Sequence, residues 1–209
     1  VIEGVEELVG TEYTVMFDRI EAMTFMVASA ITKGDITLEN VDPVHLSPVT
    51  EKLIEAGCQI TVGEDSKKVR VVGPKELKPV NITTMPHPGF PTDAQAQFMA
   101  VNMLASGKSS IKETVFENRF MHVAEYNKMG ANIKIESDNR TSTINGVKNI
   151  SGAKVKATDL RAGASLILCG LVADGETRVG NIHHVLRGYV NIQDKLKKLG
   201  ANVELVTSK

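Results

Sequence analysis

Apolar and polar positions pass through one cycle of periodicities three times along the 209 residues of this chain. Residues 12–16 alternate as a strand does, and Ile20, Phe25, Val27 and Ala28 then recur at helical spacing, which predicts a helix over 20–32 that Gly34 ends. A second strand is predicted over 35–41, a second helix over 48–56 closed by Gly57, and a hairpin from 59–62 and 68–72. The unit reads β-α-β-α-β-β. It returns as 80–84, 92–106, 110–114, 122–129, 132–136 and 141–144, and again as 154–157, 160–173, 177–179, 189–199 and 202–206. The third copy stops one strand short. Val1-Ile2-Glu3-Gly4 matches the closing strings Val71-Val72-Gly73 and Ile144-Asn145-Gly146, so residues 1–3 are expected to lie against 202–206 and complete the set.

Glycine landmarks keep the same beat. Gly4, Gly73 and Gly146 open the copies 69 and 73 residues apart, and Gly57, Gly130 and Gly200 close the second helices 73 and 70 apart. One domain over 1–209 is expected, with units of about 1–72, 73–145 and 146–209. The first helix of each unit carries an apolar, charge-free run, at 24–30, 97–104 and 164–172. A helix apolar nearly all round is buried on most sides. Three of them share a centre most economically with the sheets outside, the reverse of an ordinary β-barrel, and their starts then face one way.

Composition allows such a core, since 42% of the residues are apolar. Twenty-four basic against 25 acidic residues leave a formal charge of -1, which gives no global signature for nucleic acid or an anionic membrane. Any anion site must be a local cluster. No run approaches the ~18 apolar residues of a membrane span, and the first residues lack the order of a signal peptide, so a cytoplasmic protein is expected. The opening inside a strand-like string, without Met, points to a piece of something longer. Cys58 and Cys169 have no metal-ligand spacing and are expected to be buried thiols; the five histidines also lack that spacing, and no metal is assigned. There is no glycine-rich dinucleotide fingerprint, phosphate-loop lysine motif or Ser/His/Asp arrangement to build on.

Candidate chemistry lies where the repeat is broken. Met85-Pro86-His87-Pro88-Gly89-Phe90-Pro91-Thr92-Asp93 replaces a short strand-to-helix link with a stiff, proline-dense loop, and loops of that kind hold something in place. Thr92 and Asp93 also suit a helix N-cap, so capping alone is the competing role for Asp93. A second break, residues 113–122, mixes Glu113, Glu117 and Arg119 with Phe116 and Phe120. Arg19, Arg119, Arg161 and Arg187 all fall at or just before predicted helix starts. Unpaired N–H groups and the positive end of the helix dipole gather there, so guanidinium groups on that face make a site for phosphate or carboxylate. Each of them taken singly fits a surface salt bridge as well.

The strings Pro-His-Pro-Gly-Phe-Pro-Thr-Asp-Ala-Gln-Ala-Gln-Phe (86–98) and Glu-Thr-Val-Phe-Glu-Asn-Arg-Phe-Met-His-Val (113–123) closely resemble the UDP-N-acetylglucosamine enolpyruvyl transferases, as do Asp18-Arg19-Ile20-Glu21-Ala22, Ala157-Thr158-Asp159-Leu160-Arg161-Ala162 and Arg187-Gly188-Tyr189. The likeness covers essentially the whole chain but only the C-terminal half of such an enzyme. It implies two inside-out α/β barrel domains with the reaction between them, where the sugar nucleotide's 3-hydroxyl adds to C2 of phosphoenolpyruvate and phosphate then leaves, in peptidoglycan precursor synthesis. Phosphoenolpyruvate and UDP-N-acetylglucosamine are the implied ligands, with no cofactor, and an N-terminal domain is the missing partner. The same likeness implies Asp93 as the base for the attacking hydroxyl, Asp159 and Arg161 as a pair in the acid/base region, and Arg187 as a holder of phosphoenolpyruvate. It implies Arg119 and Arg19 as further site arginines and Val115 and Phe116 as the segment along the sugar nucleotide. Phe17, Met23, Ala124 and Leu186 depart from the pattern, and Leu186 stands where a carboxylate beside Arg187 is usual. A chain of this extent alone is expected not to turn over. Enolpyruvylshikimate phosphate synthase shares the implied fold, and a non-catalytic binding or scaffold domain of the same build is the alternative from another class.

Overall fold

The first repeat contributes α1 (Arg19–Thr32), β1 (Asp35–Glu39), α2 (Ser47–Glu55), β2 (Gln59–Val62) and β3 (Lys68–Val72). The second contributes β4 (Ile82–Thr83), α3 (Gln95–Met103), β5 (Lys108–Lys112), α4 (Val123–Lys128), β6 (Asn132–Ile135) and β7 (Thr141–Asn145). The third contributes β8 (Lys154–Lys156), α5 (Leu160–Gly170), β9 (Arg178–Gly180), the short α6 (His183–Leu186) and α7 (Ile192–Lys198). These elements come from a computed structural model that describes residues 1–65 and 67–206. The last three residues of the third expected unit thus lie outside the described residues.

α1, α3 and α5 pack on one another at the centre. Met26, Val27, Phe98, Met99, Leu166 and Leu168 are completely buried, and each such side chain contributes about 1.5–3 kcal/mol of burial energy. Sheets lie outside these helices, giving the inside-out arrangement expected from the charge-free runs. The second repeat holds the fullest sheet, in the order β4-β5-β7-β6, with β4 parallel to β5 and β7 antiparallel to both its neighbours. Its buried face carries Ile111 and Ile144, as Val69 and Val71 do on β3. In the first repeat the order is β1-β3-β2, all antiparallel, and in the third β8 pairs parallel with β9. Cys58 and Cys169 are free and buried, and burial pushes the Cys58 thiol up to about 11 and that of Cys169 higher still. No helix among the described residues is long and apolar enough to cross a membrane.

Three expected strands are not formed. Residues 12–16 and 202–206 form no strand pairing among the described residues, and residues 1–3 are exposed rather than seated against 202–206. An alternating segment becomes a strand only where a sheet edge takes its backbone N–H and C=O groups, and alternation does not supply that edge. The glycines mark the difference. The Gly73 amide donates to the Gly34 carbonyl and the Gly146 amide to the Gly107 carbonyl, both at 2.8 Å. A Cβ on either glycine would meet backbone, at 2.3 Å from the Ser29 carbonyl and 1.6 Å from the Ala105 carbonyl. Around Gly4 there is only open space. Where β7 would lie in the third repeat there is instead an open groove of about 880 Å³, walled by residues 177–179 on one side and 202–206 on the other.

Helix limits shift for local reasons. The run over 92–106 opens as a 3-10 turn, Thr92–Ala94, because Pro91 holds an extended conformation at its head, and α3 starts only at Gln95. The helix expected over 189–199 starts at Ile192, behind α6.

Deletion of residues 1–8 is expected to change the free energy of unfolding by less than about 0.5 kcal/mol, because exposed segments without packing or backbone pairing carry little stability. A urea titration of the truncated and full chains checks this. A larger loss, or truncation-induced dimers, would mean that the segment pairs in solution.

Candidate anion-binding and catalytic site

The starts of α1, α3 and α5 meet at one end of the core, but they are built in different ways. Asp18 caps α1 by accepting from the amides of Ile20 at 2.8 Å and Glu21 at 3.1 Å. Asp159 caps α5 in the same way, accepting from Arg161 at 2.8 Å and Ala162 at 3.0 Å through Oδ1. Asp93 is different. Its turn has no side-chain cap, and its Oδ1 instead accepts from Arg161 Nε at 3.2 Å and lies 3.6 Å from Arg119 Nη2. The competing role of Asp93 as a cap is thereby removed.

The proline loop aims this carboxylate. Met85 N–H donates to the Phe90 carbonyl at 2.8 Å, which closes the loop, and Phe90 is buried edge-on against Phe98 with ring centroids 4.9 Å apart. Gly89 fits where a Cβ would come within 2.5 Å of Met85 Cβ. Chain direction into Thr92–Ala94 follows from these contacts.

Arg119 and Arg161 are both largely shielded, with side chains 23% and 18% exposed, so their interactions with Asp93 are less screened than a surface pair. Arg119 also lies over the Phe116 ring, 5.3 Å from its centroid. Burial works against the Arg161 charge, and Tyr189 and Asp93 together outweigh it, so this guanidinium is held above the usual arginine range. Arg19 and Arg161 occupy the first turns of α1 and α5, where the helix dipole repels a cation. That placement makes sense electrostatically when an anion sits between the guanidinium groups and the helix starts.

Arg19 is half-buried with no ion pair among the described residues. Arg187 is exposed and follows α6 as its C-cap, so the dipole argument from a helix start does not apply to it, and α7 begins only at Ile192. Beside it Leu186 offers no carboxylate, and Arg187 likewise has no ion pair among the described residues. Val115, Phe116, Met121 and Met85 are exposed apolar side chains. Among the described residues no cluster of His, Cys, Asp and Glu could hold a metal ion.

Residues 1–196 match the family described as EPSP synthase (3-phosphoshikimate 1-carboxyvinyltransferase). The chain belongs to that family. Among its relatives, UDP-N-acetylglucosamine 1-carboxyvinyltransferase 1 of Halalkalibacterium halodurans is 58% identical over 205 residues, 98% of this chain and 46% of that protein. The UDP-N-acetylglucosamine 1-carboxyvinyltransferase of Finegoldia magna is 54% identical over 98% of this chain and 48% of its own length. The chain spans about half the length of these curated relatives. Of solved structures, the enolpyruvyl transferase NikO from Streptomyces tendae superposes with a TM-score of 0.81 at 31% identity, over 91% of this chain and 44% of that one. An EPSP synthase from Acinetobacter baumannii, at 22% identity and a TM-score of 0.77 over 98% of this chain and 50% of that one, shares the fold.

Within this EPSP synthase family chain, the sequence pattern passes over two buried groups. Glu113 is 1% exposed, and its Oε1 accepts from Thr84 Oγ1 at 2.9 Å and from the amides of Val115 at 2.9 Å and Phe116 at 3.0 Å. Its Oε2 accepts from Thr92 Oγ1 at 2.8 Å. One carboxylate thus ties segment 115–116 to the end of the proline loop. The signal is a period of two, since Ser109, Ile111 and Glu113 all face inward. His122 is also buried, edge-on to Tyr126, and neither ring nitrogen has a hydrogen-bond partner among the described residues. Burial, opposed by Asp159 and aided by Arg119, pulls its pKa down to about 4.

Glu113→Ala strands four donors and is expected to cost roughly 3 kcal/mol in a denaturant titration, whereas Glu113→Gln keeps an oxygen for three of them and should cost roughly 1 kcal/mol. Equal losses would show that only packing matters there. For His122 the folded pKa lies below the unfolded one. Stability is therefore full above about pH 6.5 and falls as the pH drops toward about 4, by up to about 3 kcal/mol, because only the unfolded chain takes up the proton. His122→Phe should flatten the urea-midpoint profile over that window, and an unchanged slope would assign the acid limb to other groups.

Proposed function

We propose that residues 1–209 form one domain of a two-domain transferase that moves the enolpyruvyl group of phosphoenolpyruvate to the 3-hydroxyl of UDP-N-acetylglucosamine, in peptidoglycan precursor synthesis. The observation that carries this is the Asp93 carboxylate, free of any capping duty and flanked by two shielded arginines at the helix starts. Relatives of more than half identity with that named activity support the choice of substrates.

The hydroxyl oxygen bonds to C2 of phosphoenolpyruvate while C3 takes a proton. The bond from C2 to the phosphate oxygen then breaks, C3 gives up a proton, and the enol ether and phosphate result. Asp93 accepts the hydroxyl proton. Arg119 and Arg161 balance the charge that gathers on phosphate and carboxylate. Asp159 belongs to the acid/base region with Arg161, although its Oδ1 is engaged by two amides, so its part in proton transfer falls to the other oxygen. Arg187 and Arg19 complete the cationic surround, and Val115 and Phe116 lie along the sugar nucleotide. The chemistry is proton transfer and addition–elimination, which needs no cofactor. A partner domain supplies the opposite wall.

Phosphate release from the two substrates tests this. The chain alone is expected to give none above background, and addition of the complementary half of the enzyme should restore it. In that reconstituted system Asp93→Asn, which keeps shape but accepts no proton, should lower turnover by roughly 10² to 10⁴ with substrate binding little changed. Robust turnover by the chain alone, or a full-speed Asp93→Asn enzyme, would overturn the proposal.

A further inference from the structure

One buried polar network joins all three repeats beneath the site, and its proton directions can be worked out. Thr24 on α1, Gln97 on α3 and Tyr189 between α6 and α7 are each at most 1% exposed. Thr24 Oγ1 has a single hydrogen, and it is donated to the Ile20 carbonyl at 2.8 Å. The other two contacts of that oxygen are therefore accepted. Gln97 must present Nε2 to it, at 2.7 Å, and Tyr189 must donate its O–H to it, at 2.9 Å. With its hydrogen spent, the Tyr189 oxygen has only lone pairs left. These face Gln97 Nε2 at 3.3 Å and Arg161 Nη1 at 3.5 Å. The Tyr189 ring lies under the same guanidinium, 5.9 Å from centroid to Cζ.

We infer that Tyr189 is a positioning residue for the anion site: the Thr24–Gln97–Tyr189 network fixes its hydroxyl as an acceptor, which with Asp93 holds the Arg161 guanidinium in one orientation toward a phosphate or carboxylate ligand. Arg161 is otherwise a long side chain with several rotamers, and fixing it in advance removes an ordering cost from ligand binding. The three repeats each contribute to the device. Thr24 and Gln97 open the charge-free runs of α1 and α3; the other polar members, Ser29 and Asn102, bond to backbone carbonyls, so only these two reach the site network.

This rests on Arg161 binding an anion, as proposed above, and the test separates the two claims. Phosphoenolpyruvate is titrated into the ¹⁵N-labelled chain, following the Arg161 Nε–Hε signal. In the unaltered chain that signal should be sharp and slow to exchange. Tyr189→Phe should broaden it and weaken binding roughly three- to tenfold, as expected for loss of one hydrogen bond, while Arg161→Ala and the double variant should bind equally weakly. Thr24→Ser, which keeps the hydroxyl, should retain the sharp signal, and Thr24→Val should lose it. If Arg161→Ala leaves binding unchanged, the anion-site reading fails and takes this inference with it. If Arg161→Ala weakens binding but Tyr189→Phe alters neither binding nor the signal, only the positioning role is overturned. A Tyr189→Phe loss that persists in the Arg161→Ala background also overturns it, since that marks a general packing defect.

Discussion

Packing α1, α3 and α5 against one another leaves none of them a broad solvent face, and most of the remaining architecture follows from that constraint. Their buried sides require apolar residues at nearly every turn, so polar chemistry can gather only where the helices begin and the chain comes back to the surface. Loops from different repeats then arrive at one place without any local sequence code for meeting there. Asp93, Arg119 and Arg161 lie 26 to 68 residues apart along the chain and still share one carboxylate oxygen.

Charge placement at that end runs against the simple rule for helices. Asp18 and Asp159 sit where the dipole favours them, and the arginines that follow them sit where it does not. The second repeat resolves the conflict by displacing its aspartate from the cap into the ion-pair cluster. It can do so because a 3-10 turn precedes α3 and the proline loop, pinned by Phe90 on Phe98, sets the angle of approach. The residue that departs from its equivalents in the other repeats is the one freed for chemistry.

Buried polar groups divide here into satisfied and orphaned ones, and the network beneath the site holds both kinds, since Gln97 Oε1 has no partner among the described residues. Glu113 takes four donors and Tyr189 joins a directed chain of hydrogen bonds, and both support the site from beneath. His122, edge-on to Tyr126, has no hydrogen-bond partner among the described residues and is held neutral by burial. Low local dielectric strengthens the first two arrangements and makes protonation of the third costly.

The sequence by itself determined the threefold pattern of periodicity and the three buried helices, because apolar periodicity and glycine spacing report side-chain burial and backbone turns, which are local quantities. It also marked Asp93 by its proline-dense loop, and Arg19, Arg119, Arg161 and Arg187 alike by their place near predicted helix starts, without saying which of the four would meet that carboxylate. Tertiary structure alone decided that residues 12–16 and 202–206 stay unpaired, that residues 1–3 close nothing, and that Arg187 ends a short helix instead of starting one. It also decided the work of Glu113, Gln97 and Tyr189, whose partners lie up to 165 residues away. Pairing, capping and hydrogen-bond direction depend on which groups arrive from elsewhere in the chain, and periodicity along a single segment carries no record of them.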